Sequence, residues 1–192
     1  MSRKTETIPP EYFEQKYRGD IDPWQFRSSD YEREKYQSTI GALSRPRYAN
    51  ALEIGCSIGV FTALLAQRCD AVTAIDASAT AIAAARAAKI ANATFEVGTL
   101  PRDFPAGQFD LIVLSEVMYY FVEADLKKVA AKCLDALQPG GDIILCHWLG
   151  ETNYPLTGQA ASELFVQAVK IRLPIRTLLR DDVYRLERFS AA

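Results

Sequence analysis

Histidine is nearly absent: the 192-residue chain has one, His147. A mechanism built on two histidines is therefore excluded. The four cysteines, Cys56, Cys69, Cys133 and Cys146, lie in apolar segments and never at CxxC spacing. That argues against a zinc site and against a disulfide framework. No metal site is expected, and the thiols read as reduced ones in a cytoplasmic protein. No apolar run reaches the length of a membrane span, and "MSRKTETIPPEYFEQKY" lacks the apolar core of a secretory signal. Lys and Arg form no stripe, and the net charge of −2 gives no electrostatic case for nucleic acid as a partner. There is no internal repeat.

What is present suits one domain with a sizeable core: 49% apolar and 24% charged residues over a length that leaves little room for a second domain. From residue 50 onward, apolar strands alternate with helical patterns. "ANALEIG" (49–55), "AVTAID" (71–76), "ATFEVGT" (93–99), "FDLIVLSE" (109–116) and "DIILCHW" (142–148) read as strands. The fourth is the most apolar, as expected for burial on both faces. Helices are expected over 60–69, over the alanine-rich tract "AIAAARAAKIANA" (81–93), over 123–137 with "PGG" (139–141) ending it, and over 158–170. Strands alternating with helices imply a parallel sheet with right-handed crossovers. The segment 174–189 reads as two strands about a tight turn at Asp181 and Asp182. The expected fold is α/β: a Rossmann-like, seven-stranded, mostly parallel sheet with a C-terminal antiparallel hairpin and helices on both faces.

Residues 1–48 stand outside this alternation, before a core over 49–192. Pro9 and Pro10 precede a short aromatic helix, "EYFEQKY", and the loop "GDIDPW" follows. Ser29 and Glu32 are spaced as a capping box for a helix over 30–43. Such a segment can lie over the carboxyl edge of the sheet as a lid, or pack as a helix pair on one face. The amphipathic pattern is the same for both.

In an open parallel sheet, ligands bind outside the carboxyl ends of the strands. "LEIGCSIG" (52–59) falls there. A dinucleotide site would show GxGxxG; here Gly55 matches the first glycine, Ser57 replaces the second and Val60 the third. An NAD(P) oxidoreductase is disfavoured twice. Read as E-x-G-x-S-x-G, the informative residue is Glu53. A strand-end carboxylate is costly to bury without a partner. A ligand ammonium would be such a partner, whereas a pyrophosphate would be repelled. Asp76, 23 residues later, ends the second strand, where an acid accepts hydrogen bonds from ribose hydroxyls.

Glu53, Gly55, Gly59, Asp76, the "FDLIVLSE" strand and the "LQPGG" turn make residues 50–148 resemble a class I S-adenosylmethionine-dependent methyltransferase. More narrowly, "DPWQF", "YEREKY", "LEIGCSIG" and "FDLIVLSEVMYY" resemble the NodS-type family, whose nodulation members N-methylate a deacetylated chitooligosaccharide. The resemblance implies S-adenosyl-L-methionine as cofactor. Gly55, Cys56 and Ser57 would wrap its methionyl part, with Gly59 allowing close backbone approach. Asp76 would hold the ribose, Ala77 would flank the adenine, and Thr99 and Leu100 would lie at the adenine. "VGTLP" lacks the acid many relatives place there, so the adenine contact falls to Thr99 or the backbone. Ser115 would approach the methionyl end, and Trp24 and Tyr31 would cover the cofactor.

The acceptor candidates follow strands four and five. Glu116 could orient an ammonium or accept a proton. Tyr119 and Tyr120 would suit a cationic or sugar acceptor, His147 would act as a catalytic or orienting group, and Tyr154 would complete a pocket wall. The expected activity is methylation of a small molecule, with nitrogen of an amine or amino sugar preferred over oxygen. A non-catalytic methyltransferase-like binding module is the rival. "SEVM" does not match the acceptor motif of base-flipping DNA enzymes.

Overall fold

The computed structural model describes residues 2–190. Helix α1 (Pro10–Gly19) opens with proline at its first position, where a missing N–H costs nothing. Helix α2 (Asp30–Gly41) starts from Ser29, whose side chain accepts from the Glu32 N–H at 3.3 Å. Only half of the expected capping box forms. The Glu32 carboxylate turns inward to Lys35 instead of back to the cap.

The core then runs β1 (Tyr48–Ile54), α3 (Val60–Leu65), β2 (Cys69–Asp76), α4 (Ala79–Ala87), β3 (Ala93–Val97), β4 (Phe109–Ser115), α5 (Glu123–Ala136), β5 (Leu137–Trp148), α6 (Gly158–Val169), β6 (Ile175–Asp181) and β7 (Tyr184–Ser190). The sheet order is β3-β2-β1-β4-β5-β7-β6. Strands β1 to β5 pair in parallel, while β7 runs antiparallel to both β5 and β6. This is the architecture the alternation implied.

Four local expectations are corrected. "PGG" does not end α5: β5 begins at Leu137 and runs through it, with a register shift against β4 between Phe109 and Leu111. The alanine helix stops at Ala87, and Asn92 donates its side-chain amide to the carbonyls of Ala66 and Cys69. Helix α3 covers one and a half turns before a 3₁₀ turn, Ala66–Arg68, leads into β2. The hairpin bends at 182–183, one residue beyond the expected turn.

Strand alternation divides the core. Leu52, Ile112, Leu114, Ile143 and Leu145 face α5 and α6. Ala51, Leu111, Val113, Ile144 and Cys146 face the side of α3 and α4, where Tyr36 of α2 also packs. All four cysteines are buried and free. Among the described residues no helix is long and apolar enough to cross a membrane.

The order reverses at β1, which has β2 on one side and β4 on the other. The cleft of such a sheet opens at that point, outside the carboxyl ends. The N-terminal segment crosses it: Lys4 N–H donates to the Asn153 carbonyl and Ile8 N–H to that of Tyr120.

Candidate active site

A cavity of about 980 Å³ occupies this edge. Residues following each of β1 to β5 line it, and Ile8, Phe13, Tyr17, Trp24, Phe26 and Tyr31 of the N-terminal segment face them.

The turn after β1 needs its glycine. Gly55 has φ of +80°, and a Cβ there would sit 3.3 Å from Val117 Cβ. The N–H groups of Gly55 and Cys56 both donate to the Ile75 carbonyl, which folds the turn back over β2. Ser57 also takes a left-handed backbone, φ +53°, where glycine is usual. Its N–H donates to Asp76 Oδ2 at 2.9 Å, and its hydroxyl accepts from Tyr17 on α1.

Glu53 is the least satisfied acid in the wall. It is 3% exposed, and its Oε2 has no hydrogen-bond partner. Burial pushes its carboxyl up to about 8; the nearby Thr62 hydroxyl opposes the shift and the Asp76 charge adds to it. Asp76 accepts one backbone N–H on each oxygen, from Ser57 and from Ser78 at 2.9 Å. Burial still raises it above the ordinary aspartate range, outweighing those bonds. Each oxygen keeps capacity for another donor.

Thr99, Leu100 and Ala77 line the same half of the cavity. The Thr99 N–H is already taken by Asp103 Oδ2 at 2.9 Å, so Thr99 can offer its hydroxyl but not that backbone donor.

Ser115 ends β4 and Glu116 follows it, both lining the cavity. Glu116 adopts φ of +56°, a strained position for a side chain with a Cβ. Its Oε1 accepts from Lys35 Nζ at 2.7 Å, and its Oε2 from the Tyr119 hydroxyl at 2.9 Å and the Trp148 N–H at 3.0 Å. Burial works to raise this carboxyl, but the Lys35 cation and its hydrogen bond hold it below the usual glutamate range. Glu116 is thus an ionised group at neutral pH and a poor proton acceptor. Lys35 itself is buried between Glu116 and Glu32, and these two acids raise its pKa against the effect of burial.

Tyr119, Tyr120 and Tyr154 form one aromatic wall. Tyr119 and Tyr154 stack with centroids 5.7 Å apart, and Tyr120 meets Tyr154 edge-on at 4.6 Å. Phe13 and Tyr12 join from α1, the latter through a 3.0 Å contact between the Tyr12 and Tyr154 hydroxyls. Trp24 stacks on Phe26 on the opposite lip.

Two expected site residues do not line the cavity. His147 is fully buried; its Nε2 accepts from the Met118 N–H at 3.0 Å, and burial lowers its pKa to about 4. It is a neutral side chain facing the turn after β4. Gly59 (φ +81°) faces α4: a Cβ there would lie 3.2 Å from Ala85 Cβ. The close approach its missing side chain permits is to Ala85 of α4.

Lys35, Tyr17 and Glu14 escaped the sequence reading, which took Glu32 only as a helix cap. Glu32 and Lys35 at i, i+3 look like a solvated helix pair, and nothing local signals their burial. Glu14 accepts from the Ser78 and Thr80 hydroxyls at 2.7 Å and so pins α1 to the start of α4. Among the described residues no group of three or more His, Cys, Asp or Glu is placed to hold a metal ion.

A sheet of this order, with a glycine turn and an acid ending its first two central strands, has the fold of class I S-adenosylmethionine-dependent methyltransferases. The family of nodulation protein S (NodS) matches residues 12–151. The chain belongs to that family. Nodulation protein S of Rhizobium tropici is 35% identical over 127 residues, 64% of this chain and 53% of that protein. Its counterpart in Sinorhizobium fredii is 34% identical over 128 residues, 64% of this chain and 59% of that one. The chain spans about half the length of the nodulation relatives it matches. A putative methyltransferase from Pseudomonas syringae is 36% identical, with a TM-score of 0.72 over 83% of this chain and 98% of its own. The N-methyltransferase NodS of Bradyrhizobium japonicum WM9, solved with S-adenosylhomocysteine, has the same fold at 24% identity, with a TM-score of 0.76 over 93% and 97% of the two chains.

Proposed function

We propose that this chain is an S-adenosyl-L-methionine-dependent methyltransferase acting on the nitrogen of a small cationic acceptor, an amine or amino sugar. The observation that carries the cofactor half is the buried, unpartnered Glu53 Oε2 beside Asp76. A carboxylate in that position calls for a cation, and the methionyl ammonium is one. Asp76, with one free site on each oxygen, fits a ribose diol. The name of the Bradyrhizobium neighbour, an N-methyltransferase in complex with S-adenosylhomocysteine, agrees with this reading.

When bound, S-adenosylmethionine supplies a methyl group already activated on a sulfonium. The chain's own task is then alignment and exclusion of water, an effect worth roughly 7–11 kcal/mol when geometry is good. Gly55, Cys56, Ser57 and Ser115 border the methionyl side; Ala77, Thr99 and Leu100 border the adenosine side. The N-terminal segment through residue 48, with Trp24 and Phe26, serves as the lid. Glu116 presents a fixed negative charge to the acceptor, and Tyr119, Tyr120 and Tyr154 wall it with π faces.

Charge points to nitrogen. Five acids line the cavity (Glu32, Glu53, Asp76, Glu116 and Glu151) against two bases, Arg3 and Lys35; Glu53, held protonated by burial in the free protein, adds its charge only once a cation meets it, and the other four still outnumber the bases. Such a wall attracts an ammonium and repels phosphate or carboxylate acceptors. A hydroxyl acceptor would need a base; Glu116 is held too acidic to serve, and His147 does not reach the cavity. An amine with a pKa near 8 can lose its proton to water beforehand (about a tenth is neutral at pH 7).

Isothermal titration with S-adenosylhomocysteine, then a methylation assay on amines, amino sugars, phosphates and carboxylic acids, tests the reading. Micromolar cofactor binding with turnover confined to amines is expected. Absence of binding, or preference for an anionic acceptor, would overturn it.

A further inference from the structure

Lys35 is the charged side chain with the least evident reason to be where it is. It sits on α2 with 1% of its side chain exposed. Burying an ammonium costs several kcal/mol unless it is closely paired. Its Nζ donates to Glu116 Oε1 at 2.7 Å and to Glu32 Oε1 at 2.9 Å, with the Tyr31 ring centroid 5.1 Å away. Glu116 lies 81 residues along the chain. It carries the strained backbone of the turn after β4, and its second oxygen ties Tyr119 to Trp148. Every side chain in this chain of contacts lines the cavity.

We propose that Lys35 is a positioning residue: from the N-terminal segment it holds the Glu116 carboxylate ionised and aimed, and so completes the acceptor half of the site. This rests on the methyltransferase reading above. Lys35 touches the acceptor only through Glu116. Without the cation, Glu116 would be a buried carboxylate with two neutral donors, and would take up a proton.

The groups facing the pair are few. From α2 come Glu32, Tyr31 and Tyr36; from β5, Cys146 and His147; from the turn after β4, Tyr119 and Tyr120. Burial keeps the Cys146 thiol protonated and His147 neutral at neutral pH. Glu32 is the remaining acid, and burial raises its pKa. The charge on Glu116 therefore depends chiefly on Lys35.

The test uses the full chain with Lys35→Met, Lys35→Arg and the double variant Lys35→Met/Glu116→Gln. Three quantities are measured: melting temperature against pH, affinity for S-adenosylhomocysteine, and kcat/KM for methylation of glucosamine against pH. For Lys35→Met, cofactor affinity stays within about threefold, while kcat/KM at pH 7 falls at least about tenfold and recovers as the pH rises and Glu116 ionises. Lys35→Arg recovers most of that loss.

The melting series needs no acceptor. With Lys35→Met the folded-state pKa of Glu116 lies above its unfolded value. Its contribution to stability is then present below the unfolded pKa and is lost as pH rises through the folded value. The double variant lacks that slope. A melting profile for Lys35→Met parallel to wild type, or cofactor affinity lost as heavily as turnover, overturns the proposal. A wild-type chain that binds no S-adenosylhomocysteine overturns the methyltransferase reading itself; the melting series still decides whether Lys35 holds the charge.

Discussion

Tyr17 on α1 donates its hydroxyl to Ser57 Oγ in the turn after β1, across 40 residues of sequence. Both residues are buried. The serine that breaks the glycine pattern therefore has a use: it accepts the bond that ties the N-terminal segment to the candidate cofactor turn.

This bond predicts a non-additive cycle. Tyr17→Phe removes a hydrogen bond worth about 1 kcal/mol and should weaken S-adenosylhomocysteine binding by about three- to tenfold. Ser57→Gly should weaken it similarly, although glycine relieves the left-handed backbone. The double variant should lose no more than the worse single one, because each change removes the same bond. Full additivity in calorimetry would show that the tie is not what matters.

Glu53 predicts proton release. Its carboxyl is pushed up to about 8 in the free protein, so most of it is protonated at pH 7. That contribution to stability is present below the unfolded pKa and lost as pH rises through about 8. A ligand ammonium would lower the pKa and expel the proton. Titrations of S-adenosylhomocysteine at pH 7 in buffers of different ionisation enthalpy should report release approaching one proton. Glu53→Gln should bind more weakly and release none. Equal release by the variant would remove Glu53 from this role.

For His147 the expectation is structural. Its pKa is lowered to about 4 by burial, against about 6.5 unfolded. Stability from the neutral ring is present above the unfolded value and lost as pH falls from about 6.5 to 4, on the order of 3 kcal/mol in all. His147→Gln keeps an acceptor for the Met118 N–H and should blunt this acid sensitivity. The shape of the pH–rate profile for methyl transfer should not change. A folded His147→Gln protein with turnover reduced a hundredfold would instead make the ring catalytic.

Gly59 offers a steric test. Alanine there meets Ala85 and keeps a positive φ, at a cost of about 1–3 kcal/mol. Gly59→Ala should lower the melting temperature by several degrees, and Ala85→Gly should restore part of it. The affinity of the folded fraction for S-adenosylhomocysteine should change less than about threefold, since Gly59 turns away from the cavity. A large specific loss of affinity would place Gly59 against the ligand after all.

Much of the core was legible because its signals are local. The continuous apolar run of 109–116 and the helical spacing of Leu126, Val129, Cys133 and Leu134 are set within a few residues of chain. Where local signals conflict with tertiary pairing, the reading failed. "PGG" looked like a helix stop, but the pairing of Leu137 with Phe109 and of Asp142 with Leu111 on β4 carries the segment into β5. Glu32 looked like a capping residue, but Lys35 draws its carboxylate inward.

The sequence by itself determined the parallel sheet, the glycine turn and the acids ending β1 and β2, because each follows from neighbours in the chain. Only the tertiary structure decided which way the strand-end side chains face and what meets them. His147 follows Cys146 on β5, and alternation sends it towards Met118 rather than towards the cavity. Lys35, Tyr17 and Glu14 act on Glu116, Ser57 and α4 from 40 to 81 residues away. Their burial is created by docking of the N-terminal segment on the sheet edge, and no local pattern encodes a contact that exists only once both surfaces have formed.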